Sequence, residues 1–382
     1  MFYNLFGAMG HDVMTPSDTV PLLIWLQGGP GSSSQFGAFT EIGPVRIDKG
    51  VPKHFHSAWN IFGHTVFIDS PLNVGFSFQG NRTGKAQVSS TGQATDHLMN
   101  FLHNLYTEFP SLKNCPLYIT GESFAGHYIP NLARKILTND TFVKKTGARL
   151  TGISIGDGWT DPINQINYYD SYLWSVGVVE RKFRDVCTWF QTNAIINIYD
   201  GNYQKATNFF DFITNNDTTP EVYMGNISIF NFRNYDGLDE SFATFLNKNK
   251  AEFGATVDYI PGNDAIYTAF GNDISRSYAA DVVVALRNIK VLIYNGQNDL
   301  VVNTPGVLQY INSLNWEGTG QWKRTAKQIW TRYGEVKGWA KVAGNLWFVM
   351  VNGAGHMVPT DQPEAAFTML GHFISNEHDW KQ

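Results

Sequence analysis

Cysteine is nearly absent: the chain of 382 residues has two, Cys115 and Cys187. Two cannot build the framework of a disulfide-dense small domain. They either pair or stay free, and the habit of a lone cysteine as a small core hydrophobe favours two free thiols. Charge is also scarce, at 16% of residues against a usual ~25%, while 43% of residues are hydrophobic. Such a chain collapses rather than staying disordered. Basic residues are not in excess: 28 Lys plus Arg face 33 Asp plus Glu, a formal net charge of −5. No basic stripe exists to neutralise a phosphate backbone, which argues against nucleic acid as a main partner. No apolar run approaches the ~20 residues of a spanning helix. The longest, Val20–Leu26 (interrupted by Pro21) and Leu346–Val351, have the length of strands. No His-Glu-x-x-His and no paired-cysteine motif occurs, and His54 and His56 lack a third ligand nearby, so no metal is expected. No period of about 20 to 50 residues repeats, which excludes solenoids and propellers. The opening MFYNLFGAMG has no Lys or Arg and no sustained apolar stretch. It reads as strand or loop rather than as a secretory signal peptide, and a missing true start is expected.

What is present is a strand–helix rhythm. Short apolar runs at Leu22–Leu26, Thr65–Ile68, Leu117–Ile119, Lys290–Tyr294 and Asn345–Val351 each end in Gly-, Asn- or Asp-rich sequence, as buried parallel strands do. Between them, Ser90–Phe109 carries Leu98, Phe101, Leu102, Leu105 and Phe109 at helical spacing and stops at Pro110. Val282–Leu286 is a shorter helical candidate. This alternation predicts an α/β fold with a mostly parallel central sheet flanked by helices. From about Asp161 to Ala280 the rhythm fades into sequence rich in Asn, Tyr and Phe. The expectation is a core made of residues 1–160 and 281–382, with a cap or lid insertion at 161–280. Four Asn-x-Ser/Thr triplets begin at Asn81, Asn139, Asn216 and Asn226; each accepts a glycan only in a secretory lumen.

The sharpest local signal is Gly121-Glu-Ser-Phe-Ala-Gly126, with a strand pattern before it and a helical one after. That is the setting of a nucleophile elbow, in which a strained turn exposes Ser123 Oγ at the carboxyl end of a sheet. The bland alternative is a chance Gly-x-Ser-x-Ala. A serine hydroxyl needs a base, and in this arrangement the chain order is Ser, acid, His. Asp299 lies just past the Lys290–Tyr294 strand, where it either orients an imidazole or merely caps a turn. His356 sits in the Gly-rich loop after the last strand. The run Gln27-Gly-Gly-Pro-Gly31 follows an early strand, where backbone amides can face a reacting carbonyl. The competing reading, a phosphate loop, lacks Gly-Lys-Ser/Thr and loses an amide at Pro30.

Taken together, Gly28-Gly-Pro-Gly31, Glu41-x-Gly-Pro44, Gly121–Gly126, Gly156-Asp-Gly-Trp-Thr-Asp-Pro162, Asn295-Gly-Gln-Asn-Asp299 and Gly355-His-Met-Val-Pro359 resemble, in order, the motifs of the serine carboxypeptidases. The resemblance is closest to the vitellogenic-type branch and spans about residue 2 to 375. It implies an α/β-hydrolase fold with Ser123 as nucleophile, His356 as general base and Asp299 as its orienting acid. It also implies an oxyanion hole from the N–H groups of Gly29 and Phe124. Gln27, Gly28, Glu41 and Glu122 would grip the free C-terminal carboxylate of a peptide or protein substrate, and Met357 would line the pocket. No cofactor is implied. A secreted or lysosomal/vacuolar location is. Two glutamates facing a carboxylate cannot all be ionised, so activity is expected to be favoured at acidic pH. The chain departs from the usual pattern at Phe124 (commonly Tyr), Gln27 (commonly Asn) and Ser32 (commonly Cys), and the cysteines that usually clamp the insertion are missing. Two other readings fit the same residues: an acyltransferase or esterase on this scaffold, and a non-catalytic binding protein.

Overall fold

A computed structural model of the chain describes residues 1–80, 88–214, 224–235 and 241–381. Among the described residues eleven strands are formed: β1 (Tyr3–Phe6), β2 (Leu22–Leu26), β3 (Val45–Asp48), β4 (Val51–His54), β5 (His64–Ile68), β6 (Pro116–Glu122), β7 (Arg149–Gly156), β8 (Lys290–Gly296), β9 (Gln328–Arg332), β10 (Glu335–Ala343) and β11 (Leu346–Val351). Nine make one sheet in the order β1-β5-β2-β6-β7-β8-β11-β10-β9, and β3 with β4 make a separate hairpin. The six inner strands from β5 to β11 run parallel, while β1, β10 and β9 join antiparallel at the edges.

Parallel strands buried on both faces read as unbroken apolar runs, and the pleat sorts them into two cores. Leu22, Ile24 and Leu26 of β2 join one core, with Val291 and Ile293 of β8 and Phe348 of β11. Leu23 and Trp25 join the other, with Leu292, Tyr294, Trp347 and Val349. The first core is closed by the helices Thr91–Glu108 and Ala125–Leu137, through Leu98, Leu102, Ile129 and Leu132. The second is closed by Pro363–Ser375, through Ala366, Met369, Leu370 and Phe373. Ser90 caps the first of these helices by accepting the Gln93 N–H, and its last residue lies before Phe109-Pro110, because proline disfavours helix at the residue before it.

The strand-poor reading of the middle is half of what is found. Among the described residues, 161–280 contain no sheet strand but are strongly helical, with long helices at Arg181–Tyr199 and Tyr203–Thr214. The buried stripe of the first runs Phe183, Cys187, Gln191, Ala194, and its polar member blurs the sequence pattern. Strands β7, β9 and β10 were not legible either. β9 is the edge strand and β10 its inner neighbour, both partly exposed and both carrying charged residues, Arg332 in the first and Glu335, Lys337 and Lys341 in the second. Cys115 and Cys187 are both free and buried.

Candidate functional site

Five neighbouring parallel strands deliver the motifs to one end of the sheet. Gln27 follows β2, Ser123 follows β6, Asp157 follows β7, Asp299 lies beyond β8 and His356 beyond β11. The carboxyl edge of a parallel sheet is where such folds bind ligands, because the loops there diverge and leave a crevice. The crevice is a cavity of about 380 Å³ lined by Gln27, Gly28, Gly29, Glu122, Ser123, Phe124, His356 and Met357.

Ser123 is held at φ +74°, a left-handed conformation that a serine adopts only under constraint from its surroundings. The constraint is visible. Its N–H donates to Gly156 O at 3.1 Å, and its carbonyl accepts from Gly126 N at 2.8 Å and Trp159 N at 2.9 Å. Gly121 explains the small-residue requirement before the serine: a Cβ there would lie 2.1 Å from Leu26 O and 3.1 Å from the Ala125 Cβ. Gly28 is equally constrained, since a Cβ on it would sit 2.5 Å from Ser123 Cβ and 2.6 Å from Phe124 N. The Gly28–Gly29 turn is therefore pressed against the elbow and its Phe124 amide.

His356 Nδ1 lies 2.8 Å from Asp299 Oδ2, with the pair almost wholly buried. With Asp299 as acceptor, Nδ1 carries the proton of this contact and Nε2 is the ring nitrogen left for another partner. Asp299 Oδ1 accepts the Val302 N–H at 3.0 Å, and the His356 N–H donates to Phe230 O at 2.6 Å.

On the other side of the serine, Gln27 Nε2 donates to Glu122 Oε1 at 2.6 Å and to Glu41 Oε1 at 3.3 Å. Its Oε1 accepts the Trp25 indole N–H at 2.7 Å, so the amide orientation is fixed and both amide hydrogens are engaged by glutamates. Glu122 lines the cavity, and Glu41 lies behind it. Both are buried. Burial, offset in part by hydrogen bonds from Glu122 and Gln27, pushes Glu41 up to about 7. Burial and the adjacent Glu41 raise Glu122 well above the usual carboxylate range. The nearby cation is Arg46, whose Nη2 donates to Glu41 O at 2.5 Å and Pro359 O at 2.8 Å.

Sequence reasoning gave no role to Trp25, Arg46 or Asp157. The available signal for Asp157 is its place in Gly156-Asp-Gly-Trp, directly after the apolar Ile153-Ser-Ile155 stretch that ends β7. Asp157, Asp299 and His356 each place a ligand-type atom within 4.8 Å of the others, a grouping of the kind that can hold a cation. Here the direct His356–Asp299 hydrogen bond occupies the facing atoms. The asparagines lie elsewhere. Asn139 is exposed and caps the helix Asp140–Thr146 by accepting the Phe142 N–H, Asn226 is exposed at φ +64°, and Asn81 and Asn216 fall outside the described residues.

Comparison with known proteins agrees with this architecture. The family model described as "Serine carboxypeptidase" matches residues 1–376. The vitellogenic carboxypeptidase of Aedes aegypti is 32% identical over 94% of this chain and 78% of its own length. The venom serine carboxypeptidase of Apis mellifera is 31% identical over 99% and 81%. Among solved structures, the prohormone-processing carboxypeptidase Kex1(delta)p of Saccharomyces cerevisiae superposes with a TM-score of 0.80 at 27% identity, covering 94% of this chain and 83% of that one. Parallel sheet, elbow and whole-chain likeness lead to one conclusion: this α/β-hydrolase chain belongs to the serine carboxypeptidase family, whose members are peptide hydrolases.

Proposed function

We propose that the chain removes C-terminal residues from peptides through an acyl-enzyme, with Ser123 as nucleophile, His356 as general base and Asp299 as the acid that orients it. The observation that carries this reading is one cavity bounded on one side by a strained serine and by His356, which is paired with buried Asp299, and on the other by Glu122, which shares the Gln27 amide with buried Glu41. In the proposed sequence Ser123 Oγ attacks the last peptide carbonyl while its proton passes to His356 Nε2. The developing oxyanion is met by the N–H groups of Gly29 and Phe124. The imidazolium then protonates the leaving amine, and a water activated by His356 releases the acyl group.

The glutamate pair supplies the preference for a free C-terminus. Gln27 has no amide hydrogen left to offer, so its role is to orient the glutamates. The substrate carboxylate is met by the Glu122 carboxyl as a protonated donor and by the Gly28 amide. When Glu41 is neutral, its own proton serves Glu122 and leaves the Glu122 proton for substrate. When Glu41 ionises, it takes that proton instead and adds a like charge. Activity at acidic pH follows from this arrangement.

Phe210, Phe230, Phe242 and Tyr267 line the cavity and come from the 161–280 segment, which supports its reading as a cap that supplies the pocket wall; Met357 adds to that wall. The exposed Asn139 and Asn226 fit glycan attachment in a secreted or lysosomal setting. A mass unchanged by amidase deglycosylation of protein from a secretory host speaks against that setting. The central test is release of the terminal amino acid from N-blocked dipeptides, identified by mass, together with fluorophosphonate labelling that disappears in Ser123→Ala. Transfer of the acyl group to an alcohol with no amino acid released would instead favour an acyltransferase.

A further inference from the structure

Asp157 sits one residue beyond β7, wholly buried, at φ +43°. Its N–H donates to Tyr294 O at 2.8 Å, and its Oδ1 accepts the N–H of Gly296 at 2.8 Å, the last residue of β8 and three before Asp299. The Asp157 and Asp299 carboxyls interact side chain to side chain, and an oxygen of each lies within 4.8 Å of the His356 ring nitrogen. Asp299 has a donor on each oxygen, Val302 N–H and His356 Nδ1. Asp157 has one, and its Oδ2 meets no donor among the described residues.

The titratable groups around Asp157 come from five elements. They are Glu122 at the end of β6, Tyr294 on β8, Tyr172 on the helix Tyr169–Ser175, Asp299 after β8, and His356 beyond β11. No Lys or Arg is among these groups. Two carboxylates in contact in a dry site cannot both be ionised. Burial first and Asp299 second raise Asp157 well above the ordinary carboxyl range, and the donors agree: both Asp299 oxygens already accept hydrogen bonds, whereas Asp157 Oδ2 has none among the described residues and is the place for a proton.

We infer that Asp157 is a positioning residue for the hydrolytic reaction, a neutral carboxylic acid whose O–H donates to Asp299 and fixes the rotation at which that carboxylate receives His356 Nδ1–H. A carboxylic acid held neutral so that it can donate is a known use of an apolar site. The inference rests on the assignment of Asp299 and His356 made above and adds to it a fourth side chain that never touches substrate.

The experiment measures kcat and KM against pH for wild type, Asp157→Ala and Asp157→Asn, with the introduced amide verified by intact mass. Loss of a hydrogen bond to a charged group lowers kcat of Asp157→Ala about ten- to a hundredfold, with KM within about twofold. Asp157→Asn, which still accepts from Gly296 and donates to Asp299, restores kcat to within about threefold of wild type. It leaves the acid limb of kcat/KM within about 0.3 pH unit, because no charge has been removed. A limb displaced by more than about half a unit to lower pH shows that Asp157 was ionised and overturns the inference. Wild-type kcat in a folded Asp157→Ala does the same, and where that variant does not fold, the Asp157→Asn profile decides alone. Ser123→Ala and His356→Ala separate the two readings. Activity surviving in them removes the triad itself, whereas their loss beside neutral Asp157 variants removes only the role of Asp157.

Discussion

Raising the pH from 5 to 8 should weaken substrate binding through Glu41, and the size of the effect follows from its surroundings. Burial lifts Glu41 from 4.5 to about 7; at about 1.4 kcal/mol per unit, its ionised form is of order 3 kcal/mol harder to hold than in water. If only the neutral pair accepts a C-terminal carboxylate, KM doubles near pH 7 and is about tenfold above its acid value near pH 8, while kcat changes little. The assay is initial-rate kinetics on an N-blocked dipeptide acid from pH 4.5 to 8.5, with Glu41→Gln in parallel. The amide introduced by that substitution always has an N–H to offer Glu122, so the variant should hold KM nearly flat. The corresponding dipeptide amide, which carries no terminal charge, should show no such rise in either protein. A flat wild-type KM would refute the argument, as would a Glu41→Gln profile that still climbs through neutral pH, since the titrating group would then not be Glu41.

Other outcomes follow from the same contacts. Trp25→Phe removes the indole donor that fixes the Gln27 amide and should raise KM about three- to tenfold with kcat nearly unchanged; a lowered kcat at constant KM contradicts the role given to Gln27. Gly28→Ala drives a methyl to 2.5 Å from Ser123 Cβ and should cut kcat at least about a hundredfold, read by fluorophosphonate labelling rate alongside a thermal melt. Stability should also favour acid. Asp69 is raised to about 6 by burial despite its bonds from Ser33, Phe76 and Gln35, and Glu41 to about 7. Raised carboxyls give stability that is complete below their unfolded values near 4 and is lost as pH climbs through 6 and 7, of order 3 kcal/mol each. The urea midpoint should therefore fall between pH 4.5 and 7.5, and a rising midpoint contradicts it.

Much of the fold was legible because it rests on local patterns. Leu22–Leu26 and Leu346–Val351 announce buried strands through unbroken apolar runs, and Ser90–Phe109 announces a helix through its stripe and its proline stop. The edge strand β9 and its neighbour β10 escaped because both are partly exposed, so their charged residues read as mixed polar sequence. The helix Arg181–Tyr199 escaped because Gln191 and Asn197 are buried in it, which a hydrophobic count scores as surface.

Residue order alone determined the strand–helix alternation, the sharp turn around Ser123, and the glycines without which backbone could not approach it. These are set by steric limits within a few neighbouring residues. Only the tertiary structure decided which acids are buried together. Glu41 and Glu122 are 81 positions apart and Asp157 and Asp299 are 142 apart; the family resemblance joins the first pair at one carboxylate, but no local pattern records how dry that site is, or that the second pair meets at all. The proton count of a carboxyl depends on the water it loses and the charge it faces, and both are fixed when five strand ends converge.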